Sequence, residues 1–340
     1  MRDGSSDDQS TAVTDVTGER RMPIQDSATG DTAVRLIQIS DVHYRDAPGT
    51  HGFVQHDPDA GLAATLEGAA DALASADVLV ASGDLADTGE PGAYRRLGDV
   101  LQGLPVPVYC LPGNHDSHDA YTAGLPRTGV HLEPAVRIGS WLLLMVDTNA
   151  LGREHVGDGV YRDLDDRMTR ADGPELSAPE AARIREILAG SDAEHALLFL
   201  HQPPLAEICP NLDPSGRLGA LLRDFPRIRA ISGGHLHGSL EGEFAGVPVF
   251  VAPSTTYSID YDGRRFDGPG YRTFTLHPDG RVESAAHTVP GPITDAMRAR
   301  PAPRFLTELM MGLVTVEEMR ALTDEQFEER FGEPRPVRGA

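Results

Sequence analysis

The chain contains no lysine, only two cysteines and no long apolar run. Arginine therefore carries every basic side chain in a sequence of 340 residues whose formal net charge is −22. Such an acidic protein repels nucleic-acid backbones unless folding assembles a local basic groove, so a dedicated DNA- or RNA-binding role is disfavoured. No apolar stretch approaches the ~20 residues that span a bilayer, so we expect no membrane partner.

The cysteines and the N-terminus indicate the compartment. Cys110 and Cys209 are too few for a disulfide framework and lie far apart in the sequence, which is typical of a protein in a reducing environment. The first residues lack the apolar segment that a secretory signal requires. We therefore predict a cytoplasmic protein.

Composition divides the chain into three predicted parts. Residues 1–32 are polar, acidic and poor in aromatic side chains, which predicts a disordered leader. Residues 33–290 alternate short apolar runs with helix-like segments and then become a series of short strands, a pattern that indicates an α/β domain. Residues 291–340 predict a helical extension, in which Thr315 and Thr323 each have a capping-box spacing.

Residue types that bind metals follow five of the predicted strands, each at the carboxyl end of its strand. They are Asp41 and His43, Asp84, Asn114 and His115, His201, and His235 and His237. In open α/β sheets, ligands bind outside the carboxyl ends of the strands. We therefore expect these side chains to meet at one edge of the sheet.

This donor set predicts a pair of metal ions. Imidazole, carboxylate and amide groups suit Zn, Fe, Mn or Co, and the set contains no cysteine. Even without His115, the seven remaining protein donors are too many for one catalytic ion with open positions, whereas they suit two ions about 3.5–4 Å apart that share a carboxylate. Each motif alone could be a turn, a helix cap or a hydrogen-bonded core histidine. Their occurrence together, in order and at strand ends, favours the metal site.

The complete series resembles that of the calcineurin-like metallophosphoesterase superfamily, and most of all the class III 3′,5′-cyclic nucleotide phosphodiesterases. The motifs are Asp-x-His at 41–43, Gly-Asp-x-x-Asp at 83–87, Gly-Asn-His-Asp at 113–116, His201, and Gly-His-x-His at 234–237. The resemblance implies an α/β fold, a four-layer α/β/β/α sandwich of two mixed β-sheets flanked by helices. It makes residues 33–290 the catalytic domain.

The resemblance also implies a role for each residue. It assigns Asp41, His43, Asp84 and His237 to one metal ion, and Asp84, Asn114, His201 and His235 to the other, so that Asp84 bridges. His115 would face the phosphate and protonate the leaving oxygen. Asp116 would orient His115, with a helix cap as its alternative role. Gln202 stands where many relatives carry a second histidine, a departure that leaves the implied ligands intact.

The predicted function is therefore a dinuclear-metal phosphodiesterase that uses Fe, Mn or Zn. A water activated between the metals would attack the phosphorus of a 3′,5′-cyclic nucleotide such as cAMP in line. One alternative is a phosphodiesterase or phosphomonoesterase for another small metabolite, for example a glycerophosphodiester. An alternative of another class is a non-catalytic, metal-stabilised scaffold that binds a protein. The expected partners are a small-molecule phosphoester and, from the resemblance, a second copy of the chain in a homodimer.

Overall fold

The structure is a computed structural model that describes most of the chain. It describes residues 24–25, 32–50, 56–148, 153–157, 160–163, 176–205, 216–293, 301–310, 313–314 and 316–335. The strands are β1 (Ile24–Gln25), β2 (Val34–Ile39), β3 (Val78–Ser82), β4 (Val108–Leu111), β5 (Val130–His131), β6 (Ala135–Ile138), β7 (Trp141–Met145), β8 (Arg153–Gly157), β9 (Val160–Asp163), β10 (His195–Phe199), β11 (Ile228–Gly233), β12 (Leu240–Phe244), β13 (Val247–Val251), β14 (Ser258–Asp260), β15 (Arg265–Asp267), β16 (Gly270–Leu276) and β17 (Val282–Thr288). The helices are α1 (Pro58–Gly68), α2 (Ala70–Leu73), α3 (Pro91–Leu101), α4 (His118–Gly124), α5 (Ala178–Gly190), α6 (Arg217–Asp224), α7 (Arg304–Met310), α8 (Val316–Ala321) and α9 (Asp324–Phe331).

Two mixed sheets form the centre of the protein. The first has the strand order β17-β16-β2-β3-β4-β5, with β2 to β5 parallel and β16 and β17 antiparallel. The second has the order β1-β6-β7-β10-β11-β13-β12, with β7, β10, β11 and β13 parallel. Two separate hairpins are made by β8 with β9 and by β14 with β15.

The central parallel strands are buried on both faces, which is why they appear in the sequence as almost continuous apolar runs. Along β2 and β3 the side chains alternate between two cores. Leu36 and Val80 point into the core between the sheets, whereas Ile37 and Leu79 point into the core beneath the helices. The same alternation separates Leu197 from the residues next to it in β10.

Helices cover the outer face of each sheet. Leu62 of α1, Leu97 of α3 and Tyr121 of α4 lie in the core on the outer side of the first sheet. Ile184 of α5 and Leu221 of α6 lie in the core on the outer side of the second sheet. The predicted α/β/β/α sandwich is therefore confirmed.

The helices begin at residues that the sequence marks. Asp57 caps α1, and Ser177 caps α5 by accepting a hydrogen bond from the Glu180 N–H. Thr323 and Gln326 form the predicted capping box of α9, whereas Thr315 lies outside the described residues. Within the described part of the chain, no helix has the length and apolar character that crossing a bilayer requires.

The two terminal parts of the chain contact the central fold at defined points. Inside the predicted leader, β1 pairs with β6 in parallel, and the rest of the leader lies outside the described residues. Phe305, Phe327 and Phe331 of the C-terminal helices form a small core of their own. Their segment is joined to the β14–β15 hairpin by a hydrogen bond of 2.6 Å from Ala302 N to Arg264 O. The proposed limits at residues 33 and 290 stay a prediction.

Candidate metal centre

The loops after the central strands continue the hydrogen bonding of the sheets and so hold the predicted residues together. The Asp41 N–H donates to Gly83 O at 3.0 Å, and the His43 N–H donates to Asp84 O at 2.8 Å. In the second sheet, the Gly234 N–H donates to His201 O at 2.8 Å. The ends of neighbouring strands are therefore fixed to one another at the edge where the ligands were predicted.

Two glycines of the motifs are needed because carboxylates lie against their backbones. A Cβ atom on Gly113 would lie 2.1 Å from Asp84 Oδ1. A Cβ atom on Gly234 would lie 2.6 Å from Asp41 Oδ2 and 1.8 Å from the Ser40 hydroxyl oxygen. Both distances are far below van der Waals contact, so only glycine lets these loops approach the carboxylates.

The backbone is left-handed at five of the predicted ligands, none of which is glycine. They are Asp41 (φ 55°), His43 (φ 50°), Asp84 (φ 48°), His235 (φ 68°) and His237 (φ 48°). Aspartate and histidine are among the residue types that tolerate this region best. Such conformations still cost energy, and they cluster at functional sites, where the surrounding structure maintains them.

One group of donor atoms consists of Asp41, His43 and His237, all of them buried. The Nε2 atoms of His43 and His237 are 3.1 Å apart, and Asp41 Oδ1 lies 3.5 Å from His237 Nε2. Two nitrogen atoms this close fit neighbouring positions around one ion at ion–nitrogen distances of about 2.1 Å. Both oxygens of the Asp41 carboxylate accept a hydrogen bond of 3.0 Å from the His235 backbone N–H.

A second group consists of Asp84, His201 and His235, and a third, His43, Asp87 and His115, shares His43 with the first. His201 Nδ1 donates to Ser82 O at 2.9 Å, so its Nε2 is the nitrogen that turns toward Asp84 Oδ2, at 3.1 Å. A ring nitrogen fixed in this way by a backbone carbonyl is typical of metal-binding histidines. The His235 ring packs edge-on against that of His201, with centroids 5.2 Å apart.

Asp84 lies between the first two groups. Its Oδ2 atom is 3.1 Å from His201 Nε2 and 3.8 Å from His43 Nε2. The same oxygen atom therefore faces one histidine from each group. Its Oδ1 atom accepts a hydrogen bond of 2.9 Å from the His115 N–H. This is the position that a bridging carboxylate requires.

The buried carboxylates and imidazoles of the site shift one another's pKa values. Burial would raise the pKa of Asp84, but His201 and His115 hold it well below its usual range. Burial would lower the pKa of His201, but the Asp84 carboxylate raises it to about 9. Burial and the charge of His201 lower the pKa of His235 to about 3, and burial and His43 lower that of His237. His235 and His237 are therefore neutral near pH 7, the form in which imidazole binds metals.

His115 is positioned by Asp87. Its Nδ1 atom donates to the Asp87 carbonyl oxygen at 2.6 Å, and its Nε2 atom lies 3.9 Å from Asp84 Oδ2. The Asp87 carboxylate lies 3.4 Å from His43 Nδ1. Asp87 thus contacts both a predicted ligand, His43, and the predicted acid, His115. In the sequence, Asp87 can be identified as the second aspartate of the Gly-Asp-x-x-Asp motif.

The Asp116 carboxylate turns toward the backbone of two loops. Its oxygens accept hydrogen bonds from the N–H groups of Gly113, Leu85 and Ala86 at 2.7, 3.1 and 2.9 Å. The helix-cap alternative is wrong, because Ser117 caps α4 by accepting from the Ala120 N–H. The His115 ring contacts Asp87, Asp84 and the His43 ring, so its orientation by Asp116 stays a prediction.

Asn114 is joined to a residue outside the motifs. Its Oδ1 atom accepts from Gln202 Nε2 at 3.2 Å, and Gln202 Oε1 accepts from the Thr148 hydroxyl at 2.7 Å. No motif marks Thr148 in the sequence, and Gln202 stands out there only as a departure from the family pattern. Tyr257 adds an aromatic wall, with its ring centroid 4.7 Å from that of His237.

Known proteins are similar to this chain in sequence. Residues 34–239 match the family described as calcineurin-like phosphoesterase. The chain is 29% identical over 275 residues to the 3′,5′-cyclic adenosine monophosphate phosphodiesterase CpdA of Escherichia coli, which covers 76% of this chain and 90% of that protein. It is 30% identical over 238 residues to a cAMP/cGMP dual specificity phosphodiesterase of Mycobacterium tuberculosis, which covers 66% of this chain and 68% of that protein.

A solved structure with a similar fold is a purple acid phosphatase from yellow lupin (Lupinus luteus) seeds. Its TM-score is 0.48 with 13% sequence identity, over 76% of this chain and 54% of that chain. The family match by itself covers more than half of the present sequence. The chain therefore belongs to the calcineurin-like phosphoesterase family and is a metal-dependent phosphoric ester hydrolase.

Proposed function

We propose that this protein is a dinuclear-metal phosphodiesterase that hydrolyses 3′,5′-cyclic nucleotides, with cAMP as the favoured substrate. The observation that carries the two-metal proposal is the position of Asp84, one oxygen of which faces His43 of the first donor group and His201 of the second. The choice of substrate is supported by the two relatives described above, which are named as cyclic nucleotide phosphodiesterases.

In this proposal each of these two donor groups holds one ion. Asp41, His43, Asp84 and His237 hold the first, and Asp84, Asn114, His201 and His235 hold the second. Bound there, the two ions would supply an activated water and neutralise the charge on the phosphoryl oxygens. Nitrogen and oxygen donors without a thiolate suit Fe, Mn or Zn.

The chain's own residues would then position the substrate and move a proton. The Asp87 carbonyl oxygen accepts the proton at His115 Nδ1, so Nε2 is the ring nitrogen that would carry and give the second proton of an imidazolium. Its side chain is 23% exposed, so a bound phosphoester can reach it. We assign it the transfer of that proton to the departing 3′ oxygen, a step that typically contributes about 10²–10⁴-fold to a rate.

The test is hydrolysis by the purified protein with Mn²⁺ of 3′,5′-cAMP, 2′,3′-cAMP, an aryl phosphodiester and an aryl phosphomonoester. The proposal expects the highest kcat/KM with 3′,5′-cAMP and no turnover by the His43→Ala variant, which controls for contaminating enzymes. A higher kcat/KM with another ester would replace the substrate by a different small metabolite. If the metal-loaded protein hydrolysed none of the esters, the scaffold alternative would take the place of the enzyme.

The assembly and the location belong to the same proposal. We propose a homodimer in the cytoplasm, with the small phosphoester as the only substrate class. Light scattering of the purified chain measures its mass against the 36.5 kDa of one copy. A mass of one copy at micromolar concentration would contradict the dimer and leave the enzymatic proposal intact.

A further inference from the structure

We propose that Thr148 and Gln202 form a relay that fixes the orientation of the Asn114 amide, and that Gln202 is thereby a positioning residue for the second metal ion. This inference rests on the proposed function, because it assumes that Asn114 is a metal ligand. It concerns residues that lie outside the motifs of the family, and Gln202 is the position at which this sequence departs from many relatives.

The relay is buried at both Thr148 and Gln202. Thr148 is 1% exposed and Gln202 is 3% exposed. In the structure the Thr148 hydroxyl donates to Gln202 Oε1 at 2.7 Å. This fixes the other end of the amide, Nε2, toward Asn114.

The same logic then applies to Asn114. An amide NH₂ group can only donate, so Gln202 Nε2 requires an acceptor, and Asn114 presents its Oδ1 atom at 3.2 Å. If the Asn114 amide were reversed, two NH₂ groups would face each other without an acceptor between them. Two donors that face each other in a buried site are costly, so the relay couples the orientation of the Asn114 amide to that of the Gln202 amide.

The selected orientation matters because only the oxygen of an amide serves as a metal ligand. A carbonyl oxygen has two lone pairs, so Asn114 Oδ1 can accept from Gln202 and still bind an ion. The carboxamide of a metal-binding asparagine is otherwise free to rotate. Hydrogen-bond partners of metal ligands orient them, and loss of such a partner typically costs about 10–100-fold in metal affinity or activity.

The relay also joins the two sheets across the site. Thr148 follows β7 and Gln202 follows β10, both in the second sheet, whereas Asn114 follows β4 of the first sheet. The Gln202 amide, which follows a strand of the second sheet, thus contacts a proposed ligand that follows a strand of the first sheet. His201, the neighbour of Gln202 in sequence, is itself a proposed ligand of the same ion, so one loop would place two of its donors.

The test is calorimetric titration of the metal-free protein with Mn²⁺ for the wild type, Thr148→Val, Gln202→Leu and the double variant. Thr65→Val is the matched control, since Thr65 is also buried and bonded, to Gly61 O, but lies in α1 away from the site. We expect Gln202→Leu to weaken one of two Mn²⁺ binding steps about 10-fold or more and to leave the other unchanged. Thr148→Val should weaken the same step, and the double variant should equal Gln202→Leu, because the two residues act in series.

The outcomes separate this inference from the function on which it rests. If the wild type binds two Mn²⁺ ions and Gln202→Leu binds both with unchanged affinity, the relay is overturned and the dinuclear proposal stands. Additive losses of affinity in the double variant would have the same meaning. A single Mn²⁺ ion in the wild type would overturn the dinuclear proposal itself. A Gln202→Leu variant that loses both binding steps together with the melting temperature of its metal-free form would show a general structural role and also overturn the relay.

Discussion

The Asp116 carboxylate is fully buried and accepts hydrogen bonds from four donors. Replacing it by asparagine should therefore destabilise the protein even without metal. One oxygen accepts from the Ala86 N–H and the Tyr94 hydroxyl, both at 2.9 Å, and the other accepts from the N–H groups of Gly113 and Leu85. Asparagine keeps one oxygen and puts an NH₂ group in place of the other. Two donors then lose their acceptor, at about 1–3 kcal/mol each, so Asp116→Asn should lower the free energy of unfolding by about 2–6 kcal/mol.

Urea unfolding of the metal-free protein measures this loss. Tyr94→Phe should cost less, about 1–2 kcal/mol, because it removes only one hydroxyl that donates to Asp116 and accepts from the Ser117 N–H. Asp119→Asn, an exposed carboxylate in the first turn of α4, is the control and should stay within about 0.5 kcal/mol. An Asp116→Asn protein with wild-type stability and strongly reduced turnover would refute the bracing role and make Asp116 a residue of the chemistry.

Four further results are expected. His115→Asn should lower kcat about 10²–10⁴-fold with unchanged Mn²⁺ binding by calorimetry, and undiminished kcat would exclude it as the acid. Asp87→Asn should weaken Mn²⁺ binding about 10–100-fold in a chelator competition, because it removes the carboxylate that lies beside His43 Nδ1; equal affinity would show that this contact does not support the ligand. Mn²⁺ at 100 times its Kd should stabilise the chelator-treated protein by about 2.7 kcal/mol for each ion bound, and an unchanged melting temperature would contradict metal binding by the folded state. Burial raises the pKa of the Cys110 thiol, so a Cys209→Ser variant should react with a thiol reagent only after unfolding; rapid labelling of the native variant would contradict that burial.

The sequence was sufficient for the features that depend on short segments. Apolar runs such as Val34–Ile39 and Val78–Ser82 are buried on both faces and therefore identify themselves as central strands. Motif residues directly after these runs had to fall at one edge of the sheet, so Asp41 and Asp84 could be placed together. The capping box of α9 was equally local.

Other features depend on which strands become neighbours, and the sequence could not show them. Gln202 meets Asn114 across 88 positions of the chain, and their contact requires the two sheets to pack with β4 beside the strands of the second sheet. Asp116 was ambiguous for a different reason. A short carboxylate after a turn can cap the next helix or turn back to the preceding loop, and only the position of Leu85 and Ala86 decides that it turns back.

The left-handed backbone at Asp41, His43, Asp84, His235 and His237 sets fold stability and metal binding against each other. Each such residue costs on the order of 1 kcal/mol or more, and glycine would remove that cost at the same position. Selection for stability alone would therefore favour glycine at these positions, and each such substitution would remove one metal-binding side chain. The proposed metal site accounts for the side chains that this chain has at these five positions despite their strained backbone.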